Sequence, residues 1–575
     1  MINHAAMMEA VMHGNRITIK SMWLRIGLDI PFWLMAFVAF VTRSLYQTVA
    51  GWQDVLVYVL GHAVLYRALY TLIVCRFSPW QMALLWLGSP LLLFSAAWLR
   101  PVWAMVFTAL WGAALWWSIC QHASPEKNVS EKNTSGGVAG YLILLAWVSV
   151  CGAGGYGYQT SDYVMHNGRL LDLIHYAWPV SYARSDGSQP ILVQYAGYYL
   201  WPALAGKVAG ISAAMFVQHL WLLAGCWIAL RMLVLLGQVR SWIAGIGLLL
   251  FGGWDAVAGV LLEISQYPYE WGRLDANTAL PSMLPAWLGA PPMLEFWPAT
   301  DLVQGLWFGN FISLVSSLLW APHQTAASWL VVGLLYQSAS RQKVVASLFA
   351  CALLAYYSPM ITLGLLPLVL VLLLWQFACS DRYREGVLVA LVGVSVLGVL
   401  GVYYASVPVG SQPYGLLPFS KIDKTVYILF LLKSWFVYAL VITAYRRWLD
   451  KHTAVFACAI FSSAVLVSCV YYGVYNDLMM RSSGAIYFGV LLLMLILLRN
   501  LWLAGSYWRS IFLVLLLLPG TFSSVANVLM ASSHADVKVA GKSIPDYMAG
   551  WQFMGRNDSW FARYLSADLH SKKGE

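Results

Sequence analysis

The sequence predicts an all-α fold: a polytopic integral membrane helical bundle with amphipathic helices outside the bilayer. Three observations predict it. Apolar residues make up 61% of the 575-residue chain and charged residues only 10%, against about a quarter charged in soluble domains. Apolar runs of roughly 20 residues, the length that crosses hydrocarbon, recur along most of the chain. Thirty tryptophans and 32 tyrosines suit many interfacial crossings, because indole and phenol rings favour the headgroup level. The net charge of +10 does not point to nucleic acid, since the basic residues are scattered between apolar runs instead of sharing one soluble face. The eight cysteines fall in or beside apolar runs with no paired spacing in a loop, which argues against a disulfide framework or a cysteine metal cage. Residues 1–20 are polar, and no small-residue cleavage site follows a short apolar core, so no cleavable signal peptide is expected.

Candidate spans run over 22–42, 52–75, 79–98, 101–120, 138–157, 209–236 and 240–262. After a long polar interval come 322–338, 344–358, 360–379, 386–404, 425–444, 453–471, 485–499 and 508–526. About fifteen transmembrane helices put the two ends on opposite sides. With the N-terminus (Arg16, Lys20, Arg25) inside, the positive-inside rule also places 338–343, 380–385 and 445–452 inside, and each remaining cytoplasmic loop carries a basic residue. The organisation expected is an N-terminal four-helix membrane module over 1–120 and a polar cytoplasmic linker over 121–137. The membrane core is 138–526, with external loops 158–208 and 263–321, and an external C-terminal tail fills 527–575. No fixed-period repeat or inverted halves mark a transporter.

The same topology gathers acidic residues on the external face, among them Asp162, Asp172, Asp186, Glu263, Asp301 and Asp477. Acids populate translocated loops by default. The segment SDYVMHNGRLLDLIHYAWPV (161–180) is denser than that default explains. Thr160 or Ser161 can cap a helix whose first turn holds Asp162. At about 100° per residue, Asp162, His166 and Arg169 share one narrow face with Asp172 beside it, opposite Val164, Leu171 and Ile174. This predicts an interfacial helix with its polar edge turned to water. That edge either touches lipid headgroups or forms a general-base arrangement in which Asp162 and His166 position an acceptor hydroxyl and take its proton.

Three further features fall on the same side. Asp255, in LLLFGGWDAVAGVLLE, reads as an unpaired carboxylate inside a span, where an ionisable residue is costly enough that function is the default. His323, in LLWAPHQTAASWL, sits at the external mouth of a span after a proline that ends the preceding helical stretch; a hydrogen-bonded structural role is its plainer reading. In VYNDLMMRSSG, Asn476, Asp477 and Arg481 occupy a short external loop. Arg481 there is either a phosphate clamp or the i,i+4 salt-bridge partner of Asp477.

At these residues the chain resembles the GT-C class of membrane glycosyltransferases, over roughly 138–500. The similarity rests on Asp162, His166 and Asn167 followed by Leu171, Asp172, Leu173, Trp178 and Pro179. It continues with Gly253 and Asp255, with Trp320, Pro322 and His323, and with Asn476, Asp477 and Arg481. The resemblance implies transfer of a sugar from a polyprenyl-phosphate donor to a glycan or lipid acceptor outside the cytoplasm, in a bacterial cytoplasmic membrane. It implies Asp162 as catalytic base, His166 or Asp172 orienting the acceptor, and Arg481 with His323 on the leaving phosphate; Arg169, Asp255, Asn476 and Asp477 complete the expected substrate contacts. Membrane lipids are the other expected partners, and nucleic acid is not. No cofactor is implied, and a divalent cation bridging Asp162, Asp172 and a phosphate is the one metal arrangement left open. The loop after the first span, 43–51, lacks the acidic pair of better-known members, so 138–157 is taken as the first core helix. The rival readings are a transporter or flippase for a lipid-linked saccharide, with Asp255 and Arg481 lining a cavity, and a polysaccharide polymerase or ligase using arginine as its main group.

Overall fold

The computed structural model describes residues 77–121, 137–255, 257, 296–298, 307–380, 384, 386–408, 414–419, 424–473, 476–547 and 550–567. The expected spans 22–42 and 52–75, the linker and most of the loop 263–321 lie outside those residues. The chain divides into two units, Met1–Arg76 and Phe77–Glu575, and all described residues belong to the second. The expected boundary after residue 120 therefore shifts: 79–121 packs with the core.

The described helices are α1 (Pro79–Trp98), α2 (Pro101–Gln121), α3 (Gly137–Val150), α4 (Tyr163–His175), α5 (Leu200–Ala209), α6 (Ile211–Gly237) and α7 (Ser241–Leu250). They continue with α8 (Leu314–Trp320), α9 (Pro322–Ser340), α10 (Val344–Leu354), α11 (Pro359–Gly364), α12 (Leu366–Cys379) and α13 (Val387–Tyr404). The last are α14 (Lys424–Leu431), α15 (Val437–Ala444), α16 (Lys451–Cys469), α17 (Asp477–Leu503), α18 (Tyr507–Leu517) and α19 (Thr521–Ser533). A π-helical turn, Leu432–Phe436, joins α14 to α15. Among the described residues, eight helical runs are long and apolar enough to cross a membrane: α1, α2, α6, α13, Tyr427–Ala444, α16, α17 and Tyr507–Ser533. Helices α3, α7, α10 and α12 are apolar but shorter. The protein is an all-α integral membrane protein.

Local chemistry sets the helix ends. At α1, the Ser78 hydroxyl accepts from the Gln81 N–H and the Gln81 side chain accepts from the Ser78 N–H, with Pro79 at the first helical position. Helix α3 stops at Val150, short of the expected 157, because Gly152, Gly154 and Gly155 take positive φ. Helix α7 stops at Leu250; residues 251–254 are not helical, and helical backbone resumes at Asp255. Helix α9 is the axis of the bundle: every residue from Pro322 to Ala339 is buried, against α6, α10, α16 and α17. Walled by protein and not by lipid, it can carry Gln324, Thr325, Ser328 and Gln337.

The connections that carry polar residues gather at one end. There, Leu99 bridges to Ser566 and Ser181 to Ile191, and strand β1 (Ile191–Leu192) pairs antiparallel with a strand at Met554–Gly555. The basic loops meet at the opposite end, where Lys343 donates to the Gln121 side chain and Asn500 to the Trp448 carbonyl.

The C-terminal segment is no free tail. Residues 537–567 run as a strap across α4. The Asn167 amide donates to the Gln159 side chain at 3.1 Å and to the Val539 carbonyl at 2.7 Å, while Val539 N–H donates to Gln159 at 2.9 Å. The Lys542 N–H donates to the Val164 carbonyl. Ser543 and the Ile544 N–H then donate to the Asp172 carboxylate at 2.8 and 2.9 Å. Gly168 permits this approach, because a Cβ there would overlap the Lys542 carbonyl. Gly168→Ala is expected to lift the strap and destabilise the protein by about 1–3 kcal/mol, read as a lower melting temperature and faster protease cleavage within 537–547; an unchanged melting temperature with a protected strap would contradict the packing.

Candidate active site

Helix α4 inverts the expected orientation. His166, Asn167, Arg169 and Asp172 are buried, while Val164, Leu171 and Ile174 are half-buried. The polar edge faces protein, not water. The reason is the strap and the loop before α5, which cover that edge with matching donors and aromatic rings. Asp162 is the residue before the first turn, in place of Thr160 or Ser161, and its side chain makes no capping bond. The residue is exposed, yet its carboxyl group is partly desolvated by the surrounding protein. Desolvation raises its pKa above the usual carboxylate value, Arg481 opposes that rise, and Asp477 adds to it.

Arg481 and Asp477 thus reach Asp162 from more than three hundred residues away. Both sit on the first turns of α17, not in a loop as expected. Arg481 Nε and Nη2 donate to the Asp477 carboxylate at 3.0 and 2.9 Å, the i,i+4 pair anticipated from spacing. The pair stays reachable, with 20% of the Arg481 side chain and 28% of the Asp477 side chain exposed.

Behind this rim lies a wall of rings. His166 Nε2 lies 3.1 Å from the Trp320 carbonyl and Nδ1 lies 2.7 Å from the Tyr199 hydroxyl. A carbonyl only accepts, so Nε2 carries the proton and the Tyr199 hydroxyl donates to Nδ1. Burial, with the nearby Arg169 charge, pushes the His166 pKa down to about 3, so the ring is neutral and fully engaged. His323 stacks on Tyr195 at 5.3 Å between ring centroids and lies 4.8 Å from the His166 ring. Neither of its nitrogens has a hydrogen-bond partner.

Arg169 is the anomaly. Its side chain is fully buried, none of its three nitrogens has a hydrogen-bond partner, and its guanidinium lies over the rings of Tyr199, Tyr195 and Phe553 at 4.8, 5.4 and 5.5 Å. The Tyr199 hydroxyl donates to His166, and its oxygen, though near the guanidinium, accepts no well-aligned bond from it and carries no counter-charge. Burying an ion costs several kcal/mol even after relaxation. Each ring face returns about 2 kcal/mol when desolvated, but ring faces leave the five N–H donors without hydrogen bonds in good geometry. The cage offsets part of the penalty and leaves a cation without a counter-ion.

No family model, curated protein or solved structure matches the chain. The site therefore rests on its own geometry.

Four expected site residues are occupied elsewhere. Asp172 accepts from Tyr182 at 2.7 Å as well as from the two strap donors, so it anchors the strap in place of orienting an acceptor. It also stands ten residues, about 15 Å of helix, from Asp162, and the two do not assemble the cation bridge left open above. Among the described residues, no group of three or more His, Cys, Asp or Glu is arranged around a metal position. Asn476 is buried with φ 48°, a left-handed turn that asparagine tolerates, and accepts from the Tyr472 N–H. His166 holds Tyr199 and α8 in register. Asp255 is not unpaired: Lys433 Nζ lies 2.6 Å from its Oδ1, both side chains closed to solvent, and Ser523 donates to Oδ2.

Sequence reasoning missed Tyr195, Tyr199, Phe553 and Lys433. An intramembrane lysine in ILFLLKSWFVYAL was the available signal, because such a charge requires a partner. Removing one member leaves the other buried and uncompensated. Lys433→Met is thus expected to cost about 3–5 kcal/mol, and the double variant with Asp255→Leu to recover most of it; equal melting temperatures for single and double variants would refute the pair's role.

Proposed function

We propose that the protein is a GT-C-type glycosyltransferase that moves a sugar from a polyprenyl-phosphate donor to a glycan or lipid acceptor at the external face of a bacterial cytoplasmic membrane. In this reading the described spans and the segments outside them make up about fifteen crossings, with the N-terminus cytoplasmic and the strap external. One observation carries the proposal. An exposed aspartate with a raised pKa lies within electrostatic reach of an arginine from a remote helix, and that arginine in turn reaches the buried His323 of another. Perturbed titratable groups in a concavity are the usual mark of catalysis.

The Asp162 carboxylate takes the proton of the acceptor hydroxyl as that oxygen attacks the anomeric carbon. The bond from that carbon to the phosphate oxygen breaks on the opposite face, inverting the centre. The departing phosphate gains charge, which Arg481 meets with a planar fork of donors while Asp477 holds it in place. A neutral His323 supplies a further N–H to the phosphate. The reading requires no cofactor.

The transporter alternative draws on one feature, the unwound stretch 251–254 beside the π-helical turn and its buried ion pair, since carriers use discontinuous helices. That pair is closed and mutually satisfied, whereas the recess around Asp162 is open.

In vesicles carrying a polyprenyl-phosphate sugar, Asp162→Asn is expected to keep its melting temperature and lose about 10²–10⁴-fold in transfer. Normal transfer together with arrested carrier movement would favour the transporter. Transfer requires the ionised carboxylate, so activity falls as pH drops through the raised pKa, on an acid limb above that of an ordinary aspartate. Asp477→Asn removes a charge that raises this pKa, so the limb is expected at lower pH; a limb that stays in place in the pH–rate profile argues against Asp162 as the base.

A further inference from the structure

We propose that Arg169 is the floor of an oxyanion-binding site for a phosphoryl group, closed in this structure by the ring of Phe553. The inference deepens the phosphate reading of the recess and rests on it for the class of ligand.

The charged and titratable groups around the guanidinium, Tyr403 and the Tyr199 hydroxyl among them, supply no counter-charge. His166 is neutral and committed to Tyr199 and Trp320. Tyr195 and Tyr199 present ring faces. Asp172, three residues along α4, is taken up by Tyr182, Ser543 and Ile544. Asp162 and Asp477 act with Arg481. A cation so placed is destabilising unless something anionic arrives. The neighbouring donors suit an oxyanion, because His323 also has both ring nitrogens unpaired while buried among the same rings. Arginine's fork fits a phosphoryl group at two oxygens.

Phe553 is the removable cover. It is half-buried, as is Tyr195, but Tyr195 is stacked on His323 and Tyr199 is closed in. Its backbone is fixed, since the Val193 N–H donates to the Phe553 carbonyl and the next two residues form the strand that pairs with β1. A rotation of one partly exposed side chain therefore uncovers Arg169 without unzipping the strap. The phosphoryl group replaces an aromatic face with a full counter-charge.

The test uses the purified full chain in detergent, its thermal unfolding followed against inorganic phosphate and against farnesyl phosphate, with chloride matched for ionic strength. The native protein is expected to show a saturable rise in melting temperature with at least one phosphate probe. A rise with both means that free phosphate suffices; a rise with farnesyl phosphate alone makes the lipid tail part of the ligand. Arg169→Met keeps the apolar stem and is expected to lose the saturable rise while melting, without ligand, at or above the native temperature. Phe553→Ala is expected to tighten half-saturation by about threefold or more. The site is overturned if the native protein responds to neither probe, or if Arg169→Met keeps the response. Where Arg169→Met does not fold, unchanged or weaker half-saturation in Phe553→Ala overturns it. Failure of the transfer reading is distinguishable, because it appears as normal sugar transfer by Asp162→Asn with the phosphate response intact.

Discussion

The docking of the C-terminal strap on α4 is the interaction on which the rest of this end of the molecule depends. Six hydrogen bonds tie 537–544 to the region of Gln159 to Asp172. At about 1 kcal/mol net each they amount to several kcal/mol, enough to hold an otherwise irregular segment in place. Their larger effect is indirect. By covering the polar edge of α4 they remove His166, Arg169 and Asp172 from water, and with that the rules for charge change. An imidazole loses its proton, a guanidinium acquires a cage of rings, and a carboxylate is satisfied by three neutral donors. Only Asp162, at the uncovered start of the helix, keeps an open carboxylate.

The membrane class, most helix positions and the sorting of loops to two ends were legible in composition, apolar run length and basic-residue placement, because these follow from the bilayer as solvent. Of the four remote residues expected to meet, Asp162 and His323 both come within electrostatic reach of Arg481, whereas Asp255 is taken up by Lys433. The inward turn of α4 was not. Its pattern fits an interfacial helix equally well, and what decides is a strap lying some 370 residues later in the chain, whose own residues, such as Ser543 and Ile544, carry no distinctive signal. The early stops of α3 and α7 were masked by apolar composition that runs on past the glycines. Arg481 moved from loop to helix because Asn476 starts α17 through a backbone conformation that residue type only permits and does not require.

Four aspartates show how far residue type underdetermines role. Asp172 is neutralised by hydroxyl and amide donors, Asp255 by an ammonium, Asp477 by a guanidinium on its own helix, and Asp162 by none directly. All four looked like site residues in the sequence. What separates them is the cost of leaving a charge unmatched: the two closed to solvent, Asp172 and Asp255, are fully partnered, while the accessible Asp162 is allowed to remain open because water still reaches it. Catalytic availability here is a consequence of incomplete burial.

Arg169 breaks that rule, and the break carries the argument furthest. A charge that is buried, unpartnered and cationic is tolerated in a stable protein only when the same position is rewarded in another state. The aromatic cage lowers the penalty of waiting without abolishing it, since ring faces attract a cation but accept none of its five N–H bonds in good geometry. Tyr199 is built into the core, whereas Tyr195 and Phe553 are both half-buried, and of these two Tyr195 is stacked on His323, which leaves Phe553 as the ring with more freedom to move. The structure thus keeps an unmatched cation behind one half-buried side chain, near an exposed aspartate and a second arginine. Under the proposed phosphate site, an anion met first by the partly exposed Arg481 would find a deeper attraction at the fully buried Arg169, a gradient set by burial.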